Sequence, residues 1–254
     1  MSSARPTLRK QWLVLCADVA ICLLCAIGAS TIVRYGYAWY TGSMAPVPSL
    51  TTLGIWGVLI VLVLQNSTIL GYVVVRAGDA RQWLVWGTPL GVQRNHLVLH
   101  TIIAVPLVLV VNIVVGAVFV ALGVTHNQAA QFPLVAGDTL GQVSFLAVAA
   151  VLVPVAEEAL FRGYVYGRIE RLQSSGVAIV LSAVVFAAAH AWSANIGSAA
   201  LVAQTGALGL CLGWIRQRSQ SIFPSIVAHG VNNAIALVLV LSCVNHPELG
   251  CART

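Results

Sequence analysis

Residues 147–172 read AVAAVLVPVAEEALFRGYVYGRIERL. The stretch begins as an apolar run and ends in a polar turn carrying Arg168, Glu170 and Arg171. Between them lie two adjacent carboxylates, Glu157 and Glu158, and one arginine, Arg162. In a soluble protein, Glu158 and Arg162 at i and i+4 would mark a solvated helix face. In a membrane each such charge is expensive and needs a partner or a task. The rest of the chain decides which setting applies.

Of the 254 residues, 59% are hydrophobic and 8% charged, against about 25% charged in ordinary soluble domains. Mean hydropathy is +0.92. So few charges cannot cover a soluble fold of this length. The composition specifies an all-α polytopic transmembrane helical bundle. Seven apolar stretches approach the roughly 20 residues that a spanning helix needs. They run over about 12–33, 50–75, 97–123, 140–161, 176–193, 197–215 and 222–243. About seven spans are expected, within a range of six to eight. The first follows Arg5, Arg9 and Lys10 and is too long for a signal-peptide core, so it is read as a retained span.

The net charge of +6 comes from basic residues scattered in short polar breaks, so no nucleic-acid partner is expected. A cytoplasmic N-terminus puts eleven Lys and Arg inside and two, Arg34 and Arg253, outside. That bias predicts a plasma-membrane protein with its N-terminus in the cytoplasm and its C-terminus outside. Trp83 and Trp86 place segment 78–96 along the inner interface. Cys16, Cys22, Cys25 and Cys211 lie in apolar runs and read as small buried hydrophobes. Cys243 and Cys251 are able to pair on the outer face.

Ionisable groups inside spans are functional candidates by default. Here they are Asp18, Glu157, Glu158, Arg162, His190 and His229, with Asn232 and Asn233 beside the last. Asp18 is read as structural. At 1.5 Å per residue, Glu157 lies about 16 Å from Arg168, His229 about 14 Å from Gln220 and His190 about 21 Å from Gly176. Three segments thus bring a carboxylate and two imidazoles to similar depth. Glu158 and Arg162 share a face and can pair. Glu157 points about 100° away, so its partner must come from another helix, and His190 and His229 are the candidates. Phe186 lies one turn before His190, and Asn233 shares the face of His229. A carboxylate base with an imidazole on the same water generates a nucleophile. His229 and Asn233 can donate to a developing oxyanion. That set suits peptide-bond hydrolysis within the membrane.

Three motifs carry this reading: EExxxR at Glu157, Glu158 and Arg162; FxxxH at Phe186 and His190; HxxxN at His229 and Asn233. In this order, on successive late spans, they resemble the CPBP family of intramembrane proteases, which includes type II CAAX prenyl proteases and bacteriocin-processing, Abi-like endopeptidases. The resemblance covers about residues 140–243. It implies N-terminal spans over 1–139, a catalytic membrane core over 140–243 and a short outer tail over 244–254, all in one integral membrane domain. It implies that Glu157 and His190 activate water, that His229 and Asn233 line the oxyanion site, and that Glu158, Arg162 and Phe186 support them. It also implies a cavity open to the cytoplasm and a membrane-associated protein or peptide as substrate.

Two routes to the activated water remain. One requires no cofactor. The other places zinc on Glu157, His190 and His229, although the chain has no HExxH motif. The metal-free route needs one assumption fewer and is the expected one. A non-proteolytic scaffold or immunity protein of the same fold is the alternative. A proton-coupled transporter would also use intramembrane Glu and His, but would show paired repeats or broken helices, and the sequence has no internal repeat.

Overall fold

The computed structural model describes residues 7–42, 50–77, 94–124, 133–191, 196–246 and 248. Among them the chain is helical and contains no strand. Seven helices follow one another: α1 (Leu8–Tyr40), α2 (Gly54–Ala77), α3 (Arg94–Ala121), α4 (Thr139–Leu172), α5 (Ser175–Ala189), α6 (Ile196–Ser219) and α7 (Phe223–Asn245). All but α5 are long and apolar enough to cross a membrane. The expected bundle is therefore present, and the protein is an integral membrane protein. The fifth span differs from expectation. Its apolar run continues to residue 193, yet the helix has 15 residues, about 22 Å. The chain leaves helical geometry at His190, whose N–H closes onto the Ala187 carbonyl at 3.0 Å.

Local chemistry sets several other ends. The Thr7 hydroxyl accepts from Lys10 N at 3.4 Å, and Asp138 accepts from Gly141 N at 3.0 Å. Ser174 does the same for Val177 at the start of α5. Each satisfies an amide that a helix start leaves open. The turn between α6 and α7 is tight. Gln220 sits at φ 55°, a left-handed conformation uncommon outside glycine. Ser219 Oγ donates to the Ser221 carbonyl at 2.8 Å and holds the turn.

α4 runs through the middle, packed against α2, α5, α6 and α7, while α5 lies along α6, α1 along α2 and α7 along α3. It is buried on every side around its second half: all seven residues of Ala159–Val165 are buried. Outer helices turn large apolar side chains outward, including Ile32 and Ile113, as lipid-facing surfaces do. Cys22 is buried as expected, but Cys16 and Cys25 are exposed. Nine residues apart, they lie on opposite sides of α1, both open to surroundings supplied from outside the chain. Cys243 is disulfide-bonded; Cys251, Trp83 and Trp86 lie outside the described residues.

α4 is not a regular helix. Val148–Leu152 and Ala159–Val165 are π turns, and the short α segment Val153–Glu158 lies between them. The first π turn bonds Val153 N–H to the Val148 carbonyl. The Ala149 carbonyl then loses its i+4 donor, and its i+5 neighbour is Pro154, which has no N–H. Ala150 loses its i+4 donor to the same proline. α7 closes on this gap. A Cβ at Gly230 would stand 2.5 Å from the Ala150 oxygen, so only glycine permits the approach. The Asn233 amide donates to the Ala149 oxygen at 3.1 Å.

Candidate active site

The irregular turns of α4 bracket Glu157 and Glu158 and hold them against α5, α6 and α7. Glu158 is fully buried and bonded on one oxygen. Oε1 accepts from Arg162 Nη1 at 2.8 Å and faces His229 Nδ1 at 3.1 Å. Oε2 accepts no hydrogen bond among the described residues. Arg162 is equally buried. Its Nη2 donates to the Gly209 carbonyl on α6 at 3.2 Å, and its guanidinium lies 4.4 Å over the Phe186 ring. α6 can offer that carbonyl because Gly209 sits tight on α5: an added Cβ would meet Ala183 at 3.0 Å. The pair is thus compensated in part by hydrogen bonds and by an aromatic face, while Arg162 Nε, like Glu158 Oε2, has no hydrogen-bond partner among the described residues.

Glu157 is arranged differently. Its Oε1 is 3.9 Å from His190 Nε2, and its Oε2 is 3.7 Å from His229 Nε2. Neither is a hydrogen bond, and no side chain among the described residues donates to this carboxylate. Glu157 and His190 each keep 17% side-chain exposure, against 4% for His229 and 0% for Glu158 and Arg162. The accessible side of the cluster is therefore the Glu157–His190 side.

Each imidazole has its Nδ1 anchored elsewhere. His190 Nδ1 lies 2.8 Å from the Phe186 carbonyl. That oxygen only accepts, so Nδ1 carries the proton, and in the neutral ring Nε2 is left as an acceptor. His229 Nδ1 is held in the same way by Glu158. Phe186 stacks edge-on against His190 at 4.7 Å and against His229 at 6.0 Å. One residue thus supports the guanidinium, both imidazoles and, through its carbonyl, one tautomer.

Glu157, Glu158, Arg162, Phe186, His190 and His229 form one cluster. Asn233 belongs to the same helix face as His229, but one hydrogen of its amide is engaged with Ala149. Two features were not read from the sequence: the contact between Glu158 and His229, and the Gly209 carbonyl on Arg162. The first pairs two residues 71 positions apart, with no local signal. The second had one, the run of small residues over 196–213, which allows close helix packing. Among the described residues no group of three His, Cys, Asp or Glu is arranged to hold a metal ion. Glu157, His190 and His229, the residues expected to hold zinc if it binds, are not drawn together as such a group.

Asp18 lies in a separate cluster. It accepts from Tyr72 Oη at 3.0 Å, from Arg76 Nε at 2.9 Å and Nη2 at 3.0 Å, and from Tyr164 Oη. It ties α1 to α2 and α4.

Residues 139–235 match the family model described as Rce1-like, type II CAAX prenyl endopeptidase Rce1-like. The matched segment begins with α4 and ends within α7, so it contains every residue of the cluster. Comparison with curated proteins and with solved structures gave no match.

Proposed function

Because the chain carries an Rce1-like domain over residues 139–235, a family of peptidases, we propose that it is an intramembrane endopeptidase that cleaves membrane-associated proteins or peptides, with CAAX-type C-terminal processing as the form the family description suggests. The observation that carries this reading is the unbonded Glu157 carboxylate, set between two imidazole nitrogens at 3.7 and 3.9 Å.

A water molecule fits that gap chemically. Two hydrogen bonds of about 2.8 Å bridge acceptors 3.9 Å apart without strain. The water gives one hydrogen to Glu157 Oε1 and one to His190 Nε2. Its oxygen lone pair then faces the scissile carbonyl carbon. On attack, the new C–O bond forms as Glu157 takes the proton, and the negative charge moves to the carbonyl oxygen. His229 Nε2, when protonated, and the second hydrogen of the Asn233 amide are the donors proposed for that oxygen. Collapse breaks the C–N bond, and the proton returns from Glu157 to the leaving amine. Glu158 and Arg162 hold His229 in place and touch no reacting atom. The positive-inside bias supports a site reached from the cytoplasmic side, in the plasma membrane.

The test is cleavage of a fluorogenic peptide library, prenylated and unprenylated, by purified wild type and Glu157→Gln, each with and without a strong chelator. Cleavage that is lost in Glu157→Gln and indifferent to chelator supports the metal-free reading. Loss on chelation with recovery on zinc moves the water to a metal. Full activity in Glu157→Gln sinks the mechanism, and a wild type inert on every peptide favours the scaffold reading.

A further inference from the structure

Three asparagines link α3 to the catalytic segment. The Asn112 amide nitrogen donates to Asn232 Oδ1. Asn232 Nδ2 donates to Asn233 Oδ1 at 3.4 Å, and Asn233 Nδ2 donates to the Ala149 carbonyl at 3.1 Å. An amide side chain has one accepting and one donating end, so its direction follows from its neighbours. Here the direction is set from α4. The Ala149 carbonyl only accepts, and the π turn and Pro154 leave it without a backbone donor. Asn233 must therefore turn its nitrogen to α4 and its oxygen to Asn232. Asn232 must present nitrogen to Asn233 and oxygen to α3. Asn112 must donate. The consequence is visible at the far end: Asn112 Oδ1 is buried and accepts nothing among the described residues. A lone asparagine free to flip would avoid such an orphan, which is costly.

We infer that Asn112 and Asn232 are positioning residues, which help to fix the Asn233 amide with its nitrogen toward α4, the helix that carries Glu157. The inference rests on the proposed hydrolase reading for its effect on rate. It extends the working site beyond residues 139–235 to α3, a helix outside the family match. Neither residue touches the reacting atoms. The Ala149 carbonyl opposes a flip of the Asn233 amide from one side, and Asn232, held in its orientation by Asn112, opposes it from the other; a flipped amide would turn an oxygen toward the developing oxyanion and replace attraction by repulsion.

The experiment uses full-length protein in detergent, labelled with 15N-asparagine, as wild type, Asn112→Leu and Asn112→Ala. The two variants change side-chain volume in opposite senses, so a shared effect reflects the lost donor. The Asn233 side-chain amide is identified by its disappearance in Asn233→Ala. In both Asn112 variants its signal is expected to move and its hydrogen exchange to quicken by about tenfold or more. An unchanged Asn233 signal in either folded variant overturns the inference. On a cleaved peptide, Asn112→Ala should lower kcat about tenfold with KM held within roughly twofold. It should have no further effect in an Asn233→Ala background, because the two act as one unit. Additive losses overturn the inference. If wild type cleaves nothing, the hydrolase reading fails, and the amide signals still decide the relay.

Discussion

Two of the intramembrane carboxylates among the described residues, Asp18 and Glu157, each face side chains of other helices and are treated in opposite ways. Asp18 is saturated: each oxygen accepts two donors, from Tyr72, Arg76 and Tyr164. Glu157 accepts none from the described residues and keeps its oxygens 3.7 and 3.9 Å from two imidazoles. A saturated carboxylate has no lone pair to spare and serves as a joint between helices. An unsaturated one, partly exposed and ringed by anchored rings, is available to a ligand. Glu158 lies between the extremes, with one oxygen committed and one not. Intramembrane acids thus differ by what remains unbonded as much as by where they lie.

The sharpest way to break this contrast is to neutralise each carboxylate without changing its shape. Glu157→Gln should lower the cleavage rate by about 10²–10⁴-fold while the unfolding midpoint in detergent barely moves. A stability loss as large as that of the Asp18 variant below would erase the distinction. Next in size is Arg162→Leu. It leaves Glu158 buried without its guanidinium partner, with only His229 still on Oε1, and should lower stability by about 3–5 kcal/mol. Adding Glu158→Gln should recover part of that loss, measured by denaturant titration. Asp18→Asn should then lower stability by about 1–3 kcal/mol, with cleavage per folded molecule close to wild type. Tyr72→Phe, which removes one donor of several from Asp18, is the smallest change, at about 1 kcal/mol. Equal losses from Tyr72→Phe and Asp18→Asn would mean that the cluster depends on a single bond.

Local spacing made part of this legible. Glu158 and Arg162 are one helical turn apart, and their 2.8 Å pair is what that spacing permits. The need of Glu157 for neighbours from other helices followed from its 100° offset. The all-α membrane bundle followed from composition. The remainder was hidden for identifiable reasons. No residue type announces a π turn, so the open Ala149 carbonyl and its use by Asn233 could not be read from the chain. Asn232 lies one position from the HxxxN face, and nothing local points to its partner, Asn112, 120 residues earlier. The early end of α5 was masked because Ala191 and Trp192 continue the apolar run. Cys16 and Cys25 were misplaced because an apolar run marks a residue as belonging in a membrane and does not say whether protein or lipid surrounds it.

The buried Arg162 has a consequence for how the protein is made. Its guanidinium depends on Glu158 in its own helix, on Gly209 in α6 and on the Phe186 ring in α5. During synthesis, α4 leaves the ribosome before either of the others exists. Until α6 arrives, the nascent helix holds an ion pair with part of its hydrogen-bonding unmet, in a setting where lipid offers nothing in return. Insertion of α4 is therefore provisional, and the last third of the chain completes it. Nascent chains arrested before residue 209 should leave α4 accessible to aqueous labelling, and chains extended through α6 should protect it.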